Sequence, residues 1–226
     1  IATHLGSQID AVAPYARAAQ LLVRLKREIE GAGMATISTL DLGGGLGLGA
    51  SGDSGEYLQA YAEALRVIAE EPGTEILIEP GRFIVAEAGV LLTRVLYRKS
   101  SGGTEIVVTD AGMNDFIRPS LYESLHAIES VDIADEPKLL ANVVGPVCES
   151  GDFFATGRLI PEVGPGSLLV VRTAGAYGYS MASNYNSRPR PAEVLVDGDR
   201  FALITERESD ADLTRREISA PHWSED

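Results

Sequence analysis

Cysteine occurs once, at Cys148, tryptophan once, and lysine at three positions, Lys26, Lys99 and Lys138, in a chain of 226 residues. One thiol cannot close an internal disulfide, so the composition fits a reducing, cytoplasmic compartment and leaves Cys148 as core filling or as chemistry. Ordinary burial preference favours the core. Basic residues are also scarce. With 19 Lys+Arg against 33 Asp+Glu the net charge is −14, which makes nucleic acid a poor default partner. Long apolar runs are missing: the longest, 83–96, is interrupted by Glu87 and Arg94 and falls short of the roughly 18 residues a membrane span requires. What is present, 45% apolar and 23% charged residues, suits one large or two small globular domains and excludes disorder and collagen-like repeats. No initiator methionine precedes Ile1, so the chain reads as a fragment or a processed product, and targeting signals are not to be read from such a start.

The first half alternates helix-like and strand-like segments; the second is a series of short apolar runs broken by Gly, Pro, Asn and Asp. A βαβ region followed by a β-rich region is expected. After an opening strand, Pro14 suits the first turn of a helix with an apolar stripe of Ala18, Leu21, Leu22, Leu25 and Ile29. Arg24, Lys26, Arg27, Glu28 and Glu30 form its wet face, and Gly31 is placed to end it. Residues 35–42 read as a strand running into Gly43, Gly44 and Gly45. A second helix begins near Ser54, a capping residue type, with Tyr57, Tyr61, Leu65 and Ile68 at helical spacing. Ile76, Leu77 and Ile78 read as a strand buried on both faces. Beyond Gly89, strands are expected at 90–97, 105–109, 139–144, 168–171, 194–196 and 201–205, the last two joined by an Asp197-Gly198 hairpin. The domain boundary falls near Gly89, giving an α/β segment over 1–88 and an all-β domain over 89–226. The charged tail from Glu206 is expected to end solvated.

Several segments could carry chemistry. From Gly45 to Ala50 the chain matches the dinucleotide fingerprint, with Glu70 about 20 residues on, but the following helix starts too late, after Asp53, for its N-terminus to meet a pyrophosphate. A phosphate held by successive backbone N–H groups of Gly43 to Gly49 is the simpler reading, and a merely flexible loop the plain alternative. Glu79-Pro-Gly81-Arg82 directly follows an apolar strand, at the edge where α/β folds bind ligands. There a carboxylate could hold a proton on a heteroaromatic nitrogen and a guanidinium could take a phosphate or carboxylate, unless the two simply pair with each other. His4 and Ser7 share that edge, although a lone His is more often structural. Cys148-Glu149-Ser150 sits in a turn after Gly145-Pro146, where a thiol is less often inert filling. Arg118 and Tyr122, four apart, would share a helix face, with a surface Arg beside a half-buried Tyr as the plain reading. Tyr177, in Ala174-Gly-Ala-Tyr-Gly, ends another strand and could aim a phenol at a ligand or simply pack.

Taken in order, His4-Leu-Gly-Ser7, Gly43-Gly-Gly45, Glu79-Pro-Gly-Arg82, Asp110-Ala-Gly-Met-Asn-Asp115, Arg118-Pro-Ser-Leu-Tyr122, Cys148-Glu-Ser150 and Ala174-Gly-Ala-Tyr177 closely resemble the diaminopimelate decarboxylase family, up to about Arg207. These are fold type III, alanine-racemase-like enzymes dependent on pyridoxal 5'-phosphate. The resemblance implies the C-terminal part of a TIM (β/α)8 barrel followed by a Greek-key-like β-barrel domain. It implies that His4 lies against the cofactor ring with a catalytic role. Ser7, Gly43, Gly44, Gly45, Gly81 and Arg82 would hold the cofactor phosphate, Glu79 would pair with the pyridine nitrogen, and Tyr177 would complete the pocket. Arg118 and Tyr122 would take the substrate's distal carboxylate, with Arg82 and Tyr177 also reaching the substrate and Glu149 binding the distal ammonium. Cys148 would act as proton donor, and Cys148 and Glu149 would serve the other subunit of a homodimer. A distal carboxylate satisfies Arg118 where ornithine or arginine would not, so meso-diaminopimelate decarboxylated to lysine is expected. No metal, nucleic acid or membrane partner is implied.

One departure is plain. The lysine that anchors the cofactor covalently belongs on an early barrel strand, and none of Lys26, Lys99 and Lys138 is so placed. A TIM barrel alone takes about 250 residues, so only about the last three barrel strands are expected here and the chain by itself is expected to be unstable or inactive. The competing readings are a decarboxylase of ornithine, arginine or a carboxylated polyamine; a non-catalytic binding or regulatory protein; and, third, a nucleotide-binding dehydrogenase.

Overall fold

The computed structural model describes residues 1–48, 54–131, 137–220 and 223. They fall into two compact units, Ile1–Ala86 and Glu87–Asp226. Gly49, Ala50 and Asp53 of the fingerprint reading, and the capping side chain expected of Ser54, lie outside the described residues.

The first unit runs α1 (Ala13–Gly31), β1 (Thr39–Asp41), α2 (Ser54–Ala69), β2 (Glu75–Leu77) and α3 (Gly81–Val85). Pro14 opens α1, where its missing N–H costs nothing, and the helix stops at Gly31 as expected. β1 and β2 pair in parallel, Leu40 opposite Ile76. The helices close over them: Tyr15 meets Tyr61 edge-on at 4.9 Å, and Leu22, Val23, Leu40, Leu42 and Ile68 complete the core. Three expectations need correction. The buried arc of α1 is Tyr15, Ala18, Ala19, Leu22, Val23 and Lys26, whereas Leu21 and Leu25 are 52% and 42% exposed. The sequence offers two overlapping apolar arcs, and the Tyr15–Tyr61 contact selects one. Lys26, assigned to the wet face, lays its stem in the interior and reaches Glu30 Oε1 at 2.7 Å. The opening strand is reduced to one bridge, Ala2 to Asp41, and β2 is not buried on both faces. Ile76 packs on the core while Leu77, on the opposite side of the pleat, is exposed, because only one face of the two strands is covered.

The second unit contains β3 (Leu91–Ser101), β4 (Thr104–Thr109), α4 (Arg118–Tyr122), β5 (Ile128–Ser130), β6 (Lys138–Val144), β7 (Phe153–Pro161), β8 (Leu168–Val171), β9 (Glu193–Asp197), β10 (Arg200–Thr205) and α5 (Asp210–Thr214). Six strands form one sheet in the order β5-β8-β3-β4-β6-β7, and its end strands β5 and β7 approach each other, so the sheet is nearly closed. Every neighbouring pair is antiparallel except β4 and β6. Alternate residues face inward, Val95, Val107, Val143, Phe154, Ile160, Leu169 and Val171 making the core. β9 and β10 form a separate hairpin around Asp197-Gly198. No helix among the described residues is long and apolar enough to cross a membrane.

All six expected strands of this unit are present, and two more were not foreseen. β7 carries Gly157 at φ +57°, where two residues oppose Asn142 in a bulge, so the run reads as broken in the sequence. β5 is three residues long and has too little pattern to read. The start of the charged tail is tied down: Glu208 is held by Arg190 and Asn184, and Ser209 caps α5 in a capping box with Asp212.

Candidate functional site

In the first unit three backbone segments converge. Gly43 and Gly45 have left-handed φ of +69° and +89°, which turn the chain sharply at the end of β1. A Cβ on Gly43 would strike the Thr3 carbonyl, one on Gly44 would lie 2.5 Å from the Glu79 carbonyl oxygen, and one on Gly45 would strike the Gly6 carbonyl. Glycine is therefore required by the close approach of the His4–Ser7 loop on one side and Glu79 on the other. Backbone bonds stitch the three together: Glu79 N–H donates to Gly43 O at 2.9 Å and Ile9 N–H to Gly45 O at 2.9 Å. The phenol of Tyr15, pushed up to about 12 mainly by burial, donates to Gly44 O at 3.3 Å and buttresses the loop from the core. Gly44 N–H donates to His4 Nδ1 at 3.4 Å, which puts the proton of a neutral imidazole on Nε2. Arg82, leaving the first turn of α3, donates to Ser7 Oγ at 3.2 Å. His4, Ser7, Gly43, Gly44, Gly45, Glu79, Gly81 and Arg82 are thus gathered at one edge, where β1 and β2 end.

In the second unit the i, i+4 reading of Arg118 and Tyr122 holds, since α4 is one helical turn with both on one side. The Arg118 guanidinium, 2% exposed, lies 5.6 Å from the ring centroids of Tyr122 and of Tyr177, and its Nη2 donates to Ser124 Oγ at 3.1 Å. Tyr177 does not end a strand: it follows β8 in a turn, itself at φ +58°, and a Cβ on Gly178 would collide with Ala174 O. An L-residue held left-handed costs about 1–3 kcal/mol, and such strain clusters at functional turns.

Cys148 is exposed, which corrects the core preference. It lies with Glu149 in the turn between β6 and β7, beside α4: a side chain at Gly151 would touch Ser120 at 3.6 Å. Glu149 Oε1 accepts the Gly151 N–H at 3.3 Å, and its Oε2 accepts the Tyr185 phenol at 3.2 Å, a bond that pushes the phenol's pKa up. Sequence reasoning missed Tyr185, Ser124 and Asp152. Only the turn-prone Asn184-Tyr-Asn186 string hinted at the first, since Asn186 does adopt φ +56°. Of the three lysines, Lys26 is buried against Glu30, while Lys99 on β3 and Lys138 on β6 are exposed.

Residues 22–175 match the family described as pyridoxal-dependent decarboxylase, C-terminal sheet domain. The chain belongs to this family. The diaminopimelate decarboxylase of Zymomonas mobilis is 44% identical to it over 219 residues, 96% of this chain and 52% of that protein. The crystal structure of diaminopimelate decarboxylase from Helicobacter pylori complexed with L-lysine matches with a TM-score of 0.80 at 39% identity, over 95% of this chain and 53% of that one. That of the M. jannaschii enzyme in co-complex with L-lysine matches with a TM-score of 0.87 at 35% identity, over 98% and 52%. The chain spans about half the length of the curated relatives it matches.

Proposed function

We propose that the chain is the C-terminal half of a cytoplasmic diaminopimelate decarboxylase, a carboxy-lyase that converts meso-2,6-diaminopimelate into L-lysine and CO2 in the last step of lysine biosynthesis. In this reading the first unit, over about 1–88, ends a (β/α)8 barrel and the second, over 89–226, is a Greek-key-like β-barrel domain. The observation that carries it is the glycine cradle, whose three residues meet the His4–Ser7 loop and Glu79 so closely that no side chain fits.

The residues of that cradle fit pyridoxal 5'-phosphate. The Ser7 hydroxyl, the Arg82 guanidinium and the Gly45 N–H offer donors and positive charge for a phosphate dianion, while the Gly43 and Gly44 N–H groups, which donate to Asp41 Oδ1 and His4 Nδ1, hold the turn that presents them. When bound, the cofactor supplies an electron sink for the pair left by departing CO2. The Glu79 carboxylate would hold the proton of the ring nitrogen, and His4 would help to hold the ring. Arg118, framed by Tyr122 and Tyr177, presents a planar fork suited to the substrate carboxylate remote from the reacting carbon. Glu149, oriented by Tyr185 and the Gly151 amide, takes the remote ammonium. Cys148 Sγ delivers a proton to the carbon that has lost CO2. Cys148 and Glu149 do this for the second subunit of a homodimer. The lysine that binds the cofactor covalently is assigned to a segment outside this chain.

The test is a substrate panel on the full-length, cofactor-loaded protein. CO2 release from meso-diaminopimelate, and none above background from ornithine, arginine or a carboxylated polyamine, is expected. Equal or faster turnover of ornithine or arginine would overturn the assignment.

A further inference from the structure

The carboxylate of Asp152 is 5% exposed and is spent on two backbone amides: Oδ1 accepts Met113 N–H at 2.6 Å and Oδ2 accepts Val147 N–H at 2.5 Å. Val147 immediately precedes Cys148 and Glu149. The same residue closes the neck of their turn, since Gly145 N–H donates to Asp152 O and Asp152 N–H to Glu149 O, both at 3.1 Å. Space around the carboxylate is set by two glycines. A Cβ on Gly145 would come within 2.5 Å of Asp152 Oδ1, and one on Gly112 within 2.9 Å of it. The Asp110–Asp115 loop that supplies Met113 is tied down separately: Asp110 Oδ1 accepts the Thr93 hydroxyl at 2.7 Å, and Arg188 donates to Asp110 O and to Asn114 Oδ1. A buried carboxylate is a costly way to join two loops that a small polar residue could bridge, because its charge must be desolvated. Its two oxygens do what one acceptor cannot: they fix the start of the Cys148 turn against an anchored loop at two points.

We infer that Asp152 is a positioning residue of the decarboxylase reaction, holding the turn that carries Cys148 and Glu149 through the amides of Val147 and Met113. The inference rests on the roles given above to Cys148 and Glu149. Charge-assisted bonds to backbone amides are among the stronger hydrogen bonds and leave the turn one arrangement. Without them the thiol keeps its chemistry and loses its place, and misplacement of a reacting group by about 1 Å can cost about 100-fold in rate.

The experiment is a double-mutant cycle in the full-length, cofactor-loaded enzyme with meso-diaminopimelate, using Asp152→Asn, Asp152→Ala, Cys148→Ala and the combinations. Asp152→Asn preserves size and one acceptor, so it keeps the test available if the alanine variant fails to fold. The expected result for a folded Asp152 variant is a kcat lowered by about 10- to 100-fold. In the Cys148→Ala background the same substitution should change kcat by less than about twofold, because on proton transfer the residue acts through the thiol, whereas its effect through Glu149 should persist there as a raised KM. Losses that multiply in the double variant would show a general structural role and overturn the inference while leaving the site reading intact. An undiminished kcat in Asp152→Ala would overturn it too. Cys148→Ala turning over at the wild-type rate would instead refute the assigned role of Cys148, and the positioning role with it.

Discussion

Placing a methyl group on Gly44 tests the cradle directly. Its Cβ would sit 2.5 Å from the Glu79 carbonyl oxygen, where ordinary contact begins at 3.4 Å, so the Glu79 backbone must retreat by about 0.9 Å. The retreat cannot be absorbed by a rotamer, because the obstructing atom is main chain and is already tied by the Gly81 N–H at 2.8 Å and, through its own amide, by Gly43 O at 2.9 Å. Overpacking of this kind costs about 1–3 kcal/mol. If the strain is relieved by moving the Glu79 carboxylate, proposed above to pair with the cofactor nitrogen, the same energy corresponds to roughly 5- to 150-fold in cofactor affinity. Gly45→Ala should be worse, since it adds a φ of +89° to a collision with the Gly6 carbonyl. Gly31→Ala is the control: nothing lies within 4 Å of its Cβ position and its φ is ordinary, so it should be neutral or slightly stabilising. The assay pairs urea unfolding with titration of pyridoxal 5'-phosphate into the apo full-length enzyme. Indistinguishable unfolding midpoints and affinities for Gly44→Ala and Gly31→Ala would refute the claim that this approach builds the cofactor site.

Two further outcomes follow from single contacts. Arg118→Ala in the full-length enzyme should reduce kcat/KM for meso-diaminopimelate by at least about 100-fold, the cost of leaving a bound carboxylate without its guanidinium; wild-type kinetics would remove Arg118 from the substrate site. Glu208, held by the Arg190 guanidinium and backbone amide and by Asn184, has its pKa lowered from 4.5 to about 2. A carboxylate lowered in the folded state stabilises above its unfolded pKa, and that contribution is lost as pH falls toward the folded value. The unfolding midpoint of the wild type should therefore exceed that of Glu208→Gln at neutral pH and converge with it between about pH 4.5 and 2. A gap that persists at pH 2 would refute the linkage.

Local punctuation was legible in the residues. Pro14 and Gly31 bracket α1, and Asp197-Gly198 turns the β9–β10 hairpin; the glycines after residue 42 read as a place for an anion to approach, whereas the space of their missing Cβ atoms is taken by the Thr3, Glu79 and Gly6 carbonyls. Short apolar runs bounded by turn residues, such as β8, could be read for the same reason. β7 could not, because a bulge at Gly157 looks like a turn until its partner strand is present. The face of α1 could not either: Leu21 and Leu25 are as apolar as Leu22, and nothing within the helix says which will meet Tyr61.

The amino-acid order by itself determined where the chain turns, which residues can act as donors, acceptors and charges, and the ordered motifs that mark the family. Those properties depend on backbone sterics and side-chain chemistry a few residues apart. Only tertiary structure decided that Glu79 presses on Gly44, that Tyr122 and Tyr177 frame Arg118, that β4 runs parallel to β6, and that Asp152 holds the Cys148 turn. Each of these is a contact between segments far apart in sequence, selected by competition for space in a shared core.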